Sequence, residues 1–148
     1  MKTKQILLAF GLISSLSQAQ NLKEKEVPVI VLQAFQKDYP GTKAEKWEKE
    51  GENYEVEFNL NKSETSVVYT AAGAFIEKEV EIKPSELPKF VLEYFDKNLP
   101  GKKIKEASIN TSTDGSLTYE AEVDDTEYRF QEAVGLIGQE KETKEDKD

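Results

Sequence analysis

Cysteine and histidine are both absent from the 148-residue sequence, which also contains only one tryptophan and one methionine. Without cysteine there is no disulfide, so an apolar core must hold the fold together. Without either residue there is no Ser-His-Asp or Cys-His arrangement, no histidine or cysteine metal ligand and no imidazole to move protons near neutral pH. These absences exclude the most common catalytic machinery, and we expect a protein that is not an enzyme.

Basic residues are outnumbered by acidic ones, and two of the lysines stand at the very start of the chain. Lys2 and Lys4 precede a short apolar run, Ile6–Leu16, and Ser17-Gln18-Ala19 supplies small residues at the positions of a cleavage site. The apolar run is shorter than the about 20 residues that span a bilayer. Residues 1–19 are therefore predicted to be a cleaved signal peptide rather than an uncleaved anchor. The protein is then periplasmic or secreted, with no membrane insertion after cleavage.

The whole chain has 20 basic and 29 acidic residues, and loss of the two lysines with the signal peptide would change its net charge from −9 to −11. Such a surface repels nucleic acid and anionic membranes, because both bind basic patches. It favours simple solubility or a cationic partner, and we expect no nucleic-acid partner.

The second half of the chain repeats the first. Shifted by sixty residues, Glu26–Lys43 aligns with Glu86–Lys103, and nine of the eighteen positions are identical. After a slip of five residues, Tyr54–Glu57 aligns with Tyr119–Glu122. Self-similarity of this kind indicates a tandem duplication. The predicted segments are a first repeat over residues 20–83, a second repeat over residues 84–140 and a charged tail over residues 141–148.

Each repeat has the pattern of one helix followed by antiparallel strands. Apolar residues recur every four positions over residues 27–39 and 87–99, which is typical of an amphipathic helix, and a Pro-Gly pair ends each pattern. In the strand that follows, Tyr54, Val56 and Phe58 share one face and glutamates the other. The predicted fold class is α+β, a tandem repeat of one helix plus an about four-stranded antiparallel sheet, with the helices packed on one sheet face.

These motifs resemble a known family. They comprise a Val-Pro or Leu-Pro helix start, an aromatic residue in the helix, Tyr-Pro-Gly or Leu-Pro-Gly after it, a Trp-Glu strand, Tyr-Glu-Val-Glu-Phe and a Tyr-x-x-x-Gly turn. Together they are similar to the PepSY-like, beta-lactamase-inhibitor-like domain of exported proteins from Bacteroidetes-type bacteria. The resemblance covers residues 26–140, although Ala107 replaces the tryptophan in the second repeat. It implies an architecture like that of beta-lactamase inhibitor protein, whose exposed sheet face grips another protein, and relatives suspected of binding calcium.

The alternating glutamates predict a partner-binding surface on the side of the sheet that the helices leave open. Carboxylates near aromatic side chains are typical of surfaces that bind proteins. The other interpretation is a solvated face whose glutamates pair with nearby lysines (Lys46, Lys49, Lys62 and Lys78), and Trp47 fits core packing as well as it fits a binding anchor. The candidate partner-binding residues are Trp47, Glu55, Glu57, Phe75, Glu77, Glu79, Glu120 and Glu122.

Acidic loops offer a second hypothesis, a calcium- or cation-responsive protein. Asp114, Asp124 and Asp125 lie at predicted turns, and calcium prefers clustered oxygen ligands. No Asp-x-Asp-x-Asp-Gly loop is present, however, and these aspartates also fit ordinary hairpin turns. No other cofactor is expected. The preferred function is a non-catalytic exported binding or inhibitor-like module that recognises a protein partner through its exposed sheet face.

Overall fold

A computed structural model describes residues 20–141, so the predicted signal peptide (1–19) and most of the predicted tail (142–148) lie outside the described residues. Nine antiparallel strands form one sheet in which the spatial order equals the chain order. The strands are β1 (Gln20–Leu22), β2 (Lys46–Glu50), β3 (Asn53–Leu60), β4 (Ser63–Thr70), β5 (Phe75–Ile82), β6 (Glu106–Ser112), β7 (Leu117–Val123), β8 (Thr126–Gln131) and β9 (Gly135–Lys141). Two ten-residue helices, α1 (Val29–Asp38) and α2 (Lys89–Asn98), connect β1 to β2 and β5 to β6. Between residues 20 and 141, no helix is both long and apolar enough to cross a membrane.

Both helices are delimited by proline and glycine. Pro28 and Pro88 occupy the N-cap positions with φ of −56°, close to the value that the pyrrolidine ring fixes. A 3-10 turn precedes each helix, and its last glutamate accepts a hydrogen bond of 2.7 Å from the backbone N–H of a lysine three residues earlier. After the helices, Gly41 and Gly101 adopt positive φ of 76° and 77°, which glycine does without steric cost. The chain therefore reverses at the same point in both halves.

Apolar side chains form two core clusters between the helices and the sheet. In the first, Phe35 of α1 packs against Trp47 and Phe58, with ring centroids 5.7 and 5.1 Å apart. In the second, Phe95 of α2 packs against Phe130 with ring centroids 5.6 Å apart. Burial of each such ring stabilises the fold by roughly 1.5–3 kcal/mol. The strand registers show that the side chains of both clusters lie on the same face of the sheet. We call the opposite side the helix-free face.

Strand β5 belongs to both halves of the sheet. It is the last strand of the first half, where it pairs with β4, and the first strand of the second half, where it pairs with β6. Ile82 of β5 lies opposite Ala107 just as Leu22 of β1 lies opposite Trp47. Strand pairing is thus unbroken from β1 to β9, and side chains in register keep the same face throughout.

The predicted fold class is therefore wrong. The chain is a mostly β protein with a single nine-stranded antiparallel sheet and two short helices, not a tandem repeat of one helix plus an about four-stranded sheet. Sequence alternation shows where a strand lies, but it does not show that one strand offers a hydrogen-bonding edge to each half. Pairing on both edges of β5 satisfies backbone groups that two separate sheets would leave unpaired.

Candidate functional site

Glutamates line the helix-free face on every strand from β2 to β9. Glu48 of β2 lies opposite Glu55 of β3. The next row runs from Glu57 through Ser66 of β4 to Glu79 of β5. Because neighbouring strands lie about 4.8 Å apart, these side chains are in mutual contact range across the face.

Several of these carboxylates are buried, although both helices pack on the other side of the sheet. Glu55 is 1% exposed, Glu57 4% and Glu79 5%. Their cross-strand neighbours on the same face include Glu48 beside Glu55, and Ser66 between Glu57 and Glu79. The alternation of polar residues predicts solvated glutamates here, so their burial is a property of the assembled sheet.

Burial raises the pKa of these carboxyl groups. Loss of hydration, followed by the charge of Glu50, raises the pKa of Glu55 to about 8. Loss of hydration and the charge of Glu127 raise the pKa of Glu120 to about 7. Loss of hydration and the charge of Glu120 hold the pKa of Glu79 well above its usual range. The Glu55 carboxyl group therefore holds its proton at neutral pH, and the pKa of Glu79 is raised in the same direction.

Three carboxylates form a compact group that we call the three-glutamate cluster. Glu48, Glu55 and Glu57 each place one carboxylate oxygen within 4.8 Å of the other two. Lys46 Nζ lies 2.9 Å from Glu48 Oε2 and 3.3 Å from Glu57 Oε1, while Glu55 Oε1 has no hydrogen-bond partner. One ammonium group thus compensates two of the three carboxylates.

Two cations, Arg129 and Lys105, pair with acids of the second half. Arg129 of β8 places its Nε 3.2 Å from Glu120 Oε1 and 2.7 Å from Glu127 Oε1. Glu122 Oε1 accepts a hydrogen bond of 2.7 Å from Lys105 Nζ. Charge-assisted contacts of this length stabilise ionised carboxylates.

The two aromatic candidates lie on the helix side of the sheet. Trp47 is 3% exposed and belongs to the first core cluster, and Phe75 lies opposite Tyr69 and packs against the same cluster. A β-bulge at Ile76 shifts the register between Val68 and Tyr69, so the alternation changes face there. Neither ring therefore borders the glutamates, in contrast to the sequence prediction.

The three loop aspartates are not brought together. Asp114 lies in the β6–β7 turn, and Asp124 and Asp125 lie in the β7–β8 turn, so seven-residue β7 separates them by roughly 20 Å. Asp114 Oδ1 accepts a hydrogen bond of 2.9 Å from Ser116 N, and bonding to Ser116 lowers the pKa of Asp114. Asp124 pairs with Lys102 at 2.7 Å, and both residues of the β7–β8 turn have positive φ. The aspartates act as turn residues at two separate places.

Sequence reasoning missed Glu48, Ser66 and Arg129 on the helix-free face. Glu48 could have been found, because it follows Trp47 and must therefore point away from the core once Trp47 points into it. The positions of Ser66 and Arg129 opposite glutamates depend on strand register. Hairpin geometry fixes that register, and residue alternation does not.

Solved structures of proteins from Bacteroides share the fold of this chain. A "putative periplasmic" protein from Bacteroides eggerthii superimposes with a TM-score of 0.70 at 18% identity, covering 77% of this chain and 88% of that one. A BLIP-like protein from Bacteroides fragilis superimposes with a TM-score of 0.64 at 23% identity, covering 75% and 83%. At these identities the likeness concerns the fold alone. No curated protein matches the chain.

A family model covers most of the chain. The model, described as "Putative beta-lactamase-inhibitor-like, PepSY-like", matches residues 15–77 and matches again over residues 76–137, so the two matches meet within β5. This confirms the resemblance predicted from the motifs. The chain belongs to the PepSY-like, beta-lactamase-inhibitor-like family.

Proposed function

We propose that the protein is an exported, non-catalytic binding module that recognises a protein partner through its helix-free face. The observation that carries the proposal is the charge of that face. Each strand from β2 to β9 contributes at least one glutamate to it, whereas Lys46 and Arg129 are the basic residues that these strands place there. A segment rich in lysine or arginine is the partner chemistry that complements this surface.

The accessible part of the face is its half-buried rim. Glu64, Glu77 and Glu81 are partly exposed, while Glu55 and Glu79 form the buried floor between them. Exposed charges act over about 8–10 Å at physiological salt, so a row of rim glutamates steers a basic segment onto the face before contact. The floor glutamates are out of reach of a protein surface, and the rim therefore decides recognition.

Family and sequence support the remaining parts of the proposal. The family description and the BLIP-like neighbour support protein recognition by this fold. The signal-peptide pattern and the "putative periplasmic" neighbour support export, and the absence of histidine and cysteine supports a non-catalytic role.

Charge reversal on the two sides of the sheet provides the test. The tagged protein captures partners from the exported fraction of its own cells, and the captured protein is identified by mass spectrometry and rebound in pure form. One triple variant reverses the rim (Glu64→Lys, Glu77→Lys and Glu81→Lys). The matched control makes the same change of charge on exposed acids of the helix side (Glu24→Lys, Glu93→Lys and Asp96→Lys).

We expect the rim variant to lose the partner and the control variant to keep it. Binding by the wild type should also weaken between about 0.1 and 0.5 M salt, because the rim charges are screened. Circular dichroism melts establish that both variants are folded. Equal binding by the rim variant and the control, or a purified partner whose contact segment is not basic, would refute the proposal.

A further inference from the structure

The three-glutamate cluster has the dimensions of a cation site. Its three carboxylate oxygens all lie within 4.8 Å of one another. Calcium binds oxygen ligands at 2.3–2.6 Å, so two ligands on opposite sides of one ion lie about 4.8 Å apart. Glu48, Glu55 and Glu57 can therefore contact one ion of this size without movement of the strands that carry them.

Two buried oxygen atoms at the cluster lack partners. Glu55 Oε1 belongs to a side chain that is 1% exposed and has no hydrogen-bond partner, although the hydroxyl of Ser66 lies close enough to the carboxyl group to lower its pKa. Ser66, also 1% exposed, lies directly opposite Glu57 on the same face, and its Oγ has no hydrogen-bond partner. Buried polar atoms without partners are rare in native proteins, because each has given up a hydrogen bond to water. A cation between these side chains would satisfy a carboxylate and a hydroxyl together.

The second half of the sheet shows which charge the first half lacks. Glu120 corresponds to Glu55 in the repeat and lies opposite Arg129, with 3.2 Å between Arg129 Nε and Glu120 Oε1. Glu55 instead lies opposite Val68, which carries no charge. The residue opposite Glu120 on the other side is a serine, whereas Glu48 lies opposite Glu55. Arg129 therefore supplies a cation beside Glu120, whereas the residues opposite Glu55 on its two neighbouring strands supply none.

Lys46 is the counter-ion of the cluster and its competitor for a cation. The ammonium contacts Glu48 and Glu57, and the Lys46 side chain is 21% exposed, so it has a path to solvent. Glu55 Oε1, the third oxygen of the cluster, has no hydrogen-bond partner. A divalent ion brings twice the charge of the ammonium and a coordination sphere that three carboxylates fit.

We propose that Glu48, Glu55 and Glu57 bind a hard divalent cation of calcium size on the helix-free face, with Lys46 displaced toward solvent and Ser66 Oγ or water as a further ligand. The site is separate from the loop aspartates and from the rim that the proposed function uses. Partner capture and cation binding are measured separately, so either proposal can fail while the other stands.

Calorimetric titration of the chelator-treated protein with CaCl2 provides the test, together with thermal melts in chelator and in about 10 mM CaCl2. Calcium sites of extracellular modules have Kd of about 10⁻⁴–10⁻³ M, so about 10 mM should raise Tm by roughly 5–10 °C. Glu55→Gln should weaken binding at least roughly tenfold, because an amide cannot supply the carboxylate oxygen that Glu55 offers once it loses its proton to the cation. Asp124→Asn, the matched control in the β7–β8 turn, should bind as the wild type does.

Lys46→Met distinguishes a cation site from a merely structural cluster. Removal of the competing ammonium should tighten calcium binding, while the loss of an ordinary structural ion pair would leave it unchanged. Absence of both heat and Tm shift in the wild type overturns the proposal, and so does equal binding by the wild type and Glu55→Gln. If Glu55→Gln does not fold, calcium binding by Lys46→Met that is unchanged or weaker than that of the wild type overturns the proposal by itself.

Discussion

Glu55 is an ionisable side chain with 1% exposure, and its burial determines how stability depends on pH. Its pKa is about 8 in the folded protein, against a reference value of 4.5. Between these pH values the folded state holds a proton that the unfolded chain has released, so stability falls as pH rises through this window. At about 1.4 kcal/mol for each pH unit, Glu55 costs the wild type roughly 4 kcal/mol of stability by pH 8.

Glu55→Gln keeps the shape of the side chain but cannot ionise. In chelator-containing buffer we expect the variant and the wild type to differ by less than about 1 kcal/mol at pH 5, where the carboxyl group keeps its proton. At pH 8 the variant should be more stable by up to roughly 4 kcal/mol, or a rise in Tm on the order of 10–15 °C. Urea unfolding at both pH values measures this as a change in midpoint at constant slope.

The pH 5 comparison removes any packing effect of the amide, since both side chains are then neutral. Asp124→Asn serves as the control, because its ion pair with Lys102 is exposed and contributes little at either pH. A difference between Glu55→Gln and the wild type that stays constant from pH 5 to pH 8 would refute the assignment of a raised pKa to Glu55.

Three further substitutions test the packing. Phe35→Ala should cost about 3–5 kcal/mol in urea unfolding, because it empties the centre of the first core cluster, and a loss below about 1 kcal/mol would contradict that packing. Gly73→Ala should lower Tm more than Gly101→Ala: both glycines have φ of +77°, but only at Gly73 would the new Cβ lie 3.0 Å from a backbone oxygen of α1. Equal losses would contradict contact between α1 and the β4–β5 turn. Arg129→Met should destabilise by about 3 kcal/mol, because Glu120 loses its cation, and an unchanged urea midpoint would show that the pair is dispensable.

The sequence pattern predicts the local elements well because each depends on short-range physics. Val56 and Phe58 lie in the core as strict alternation requires, and the Pro-Gly pairs lie just beyond the ends of both helices. The proline ring fixes φ and glycine accepts positive φ, so these positions constrain the backbone whatever surrounds them.

Features that depend on strand register cannot be predicted from the alternation of residue types along one strand. One extra residue at Ile76 moves Phe75 to the helix side, and no residue type in this segment predicts that β-bulge. In any alternating strand, glutamates are expected to face solvent. The burial of Glu55 can be recognised only once the fold places Glu48 and Ser66 near it. The continuity of the sheet likewise depends on pairing at both edges of β5, which alternation along a single strand does not encode.

The identity of spatial and chain order in the sheet also bears on how the protein folds. Most strand pairs are hairpins between successive strands, so most pairing contacts join residues that are close in sequence, and the contact order is low for a β protein. The two longer closures join β1 to β2 and β5 to β6 across a helix. Loop-closure entropy is greatest for these two steps, and we expect them to limit the folding rate. Rapid hairpin formation elsewhere shortens the time for which strand edges are open to pairing with another chain.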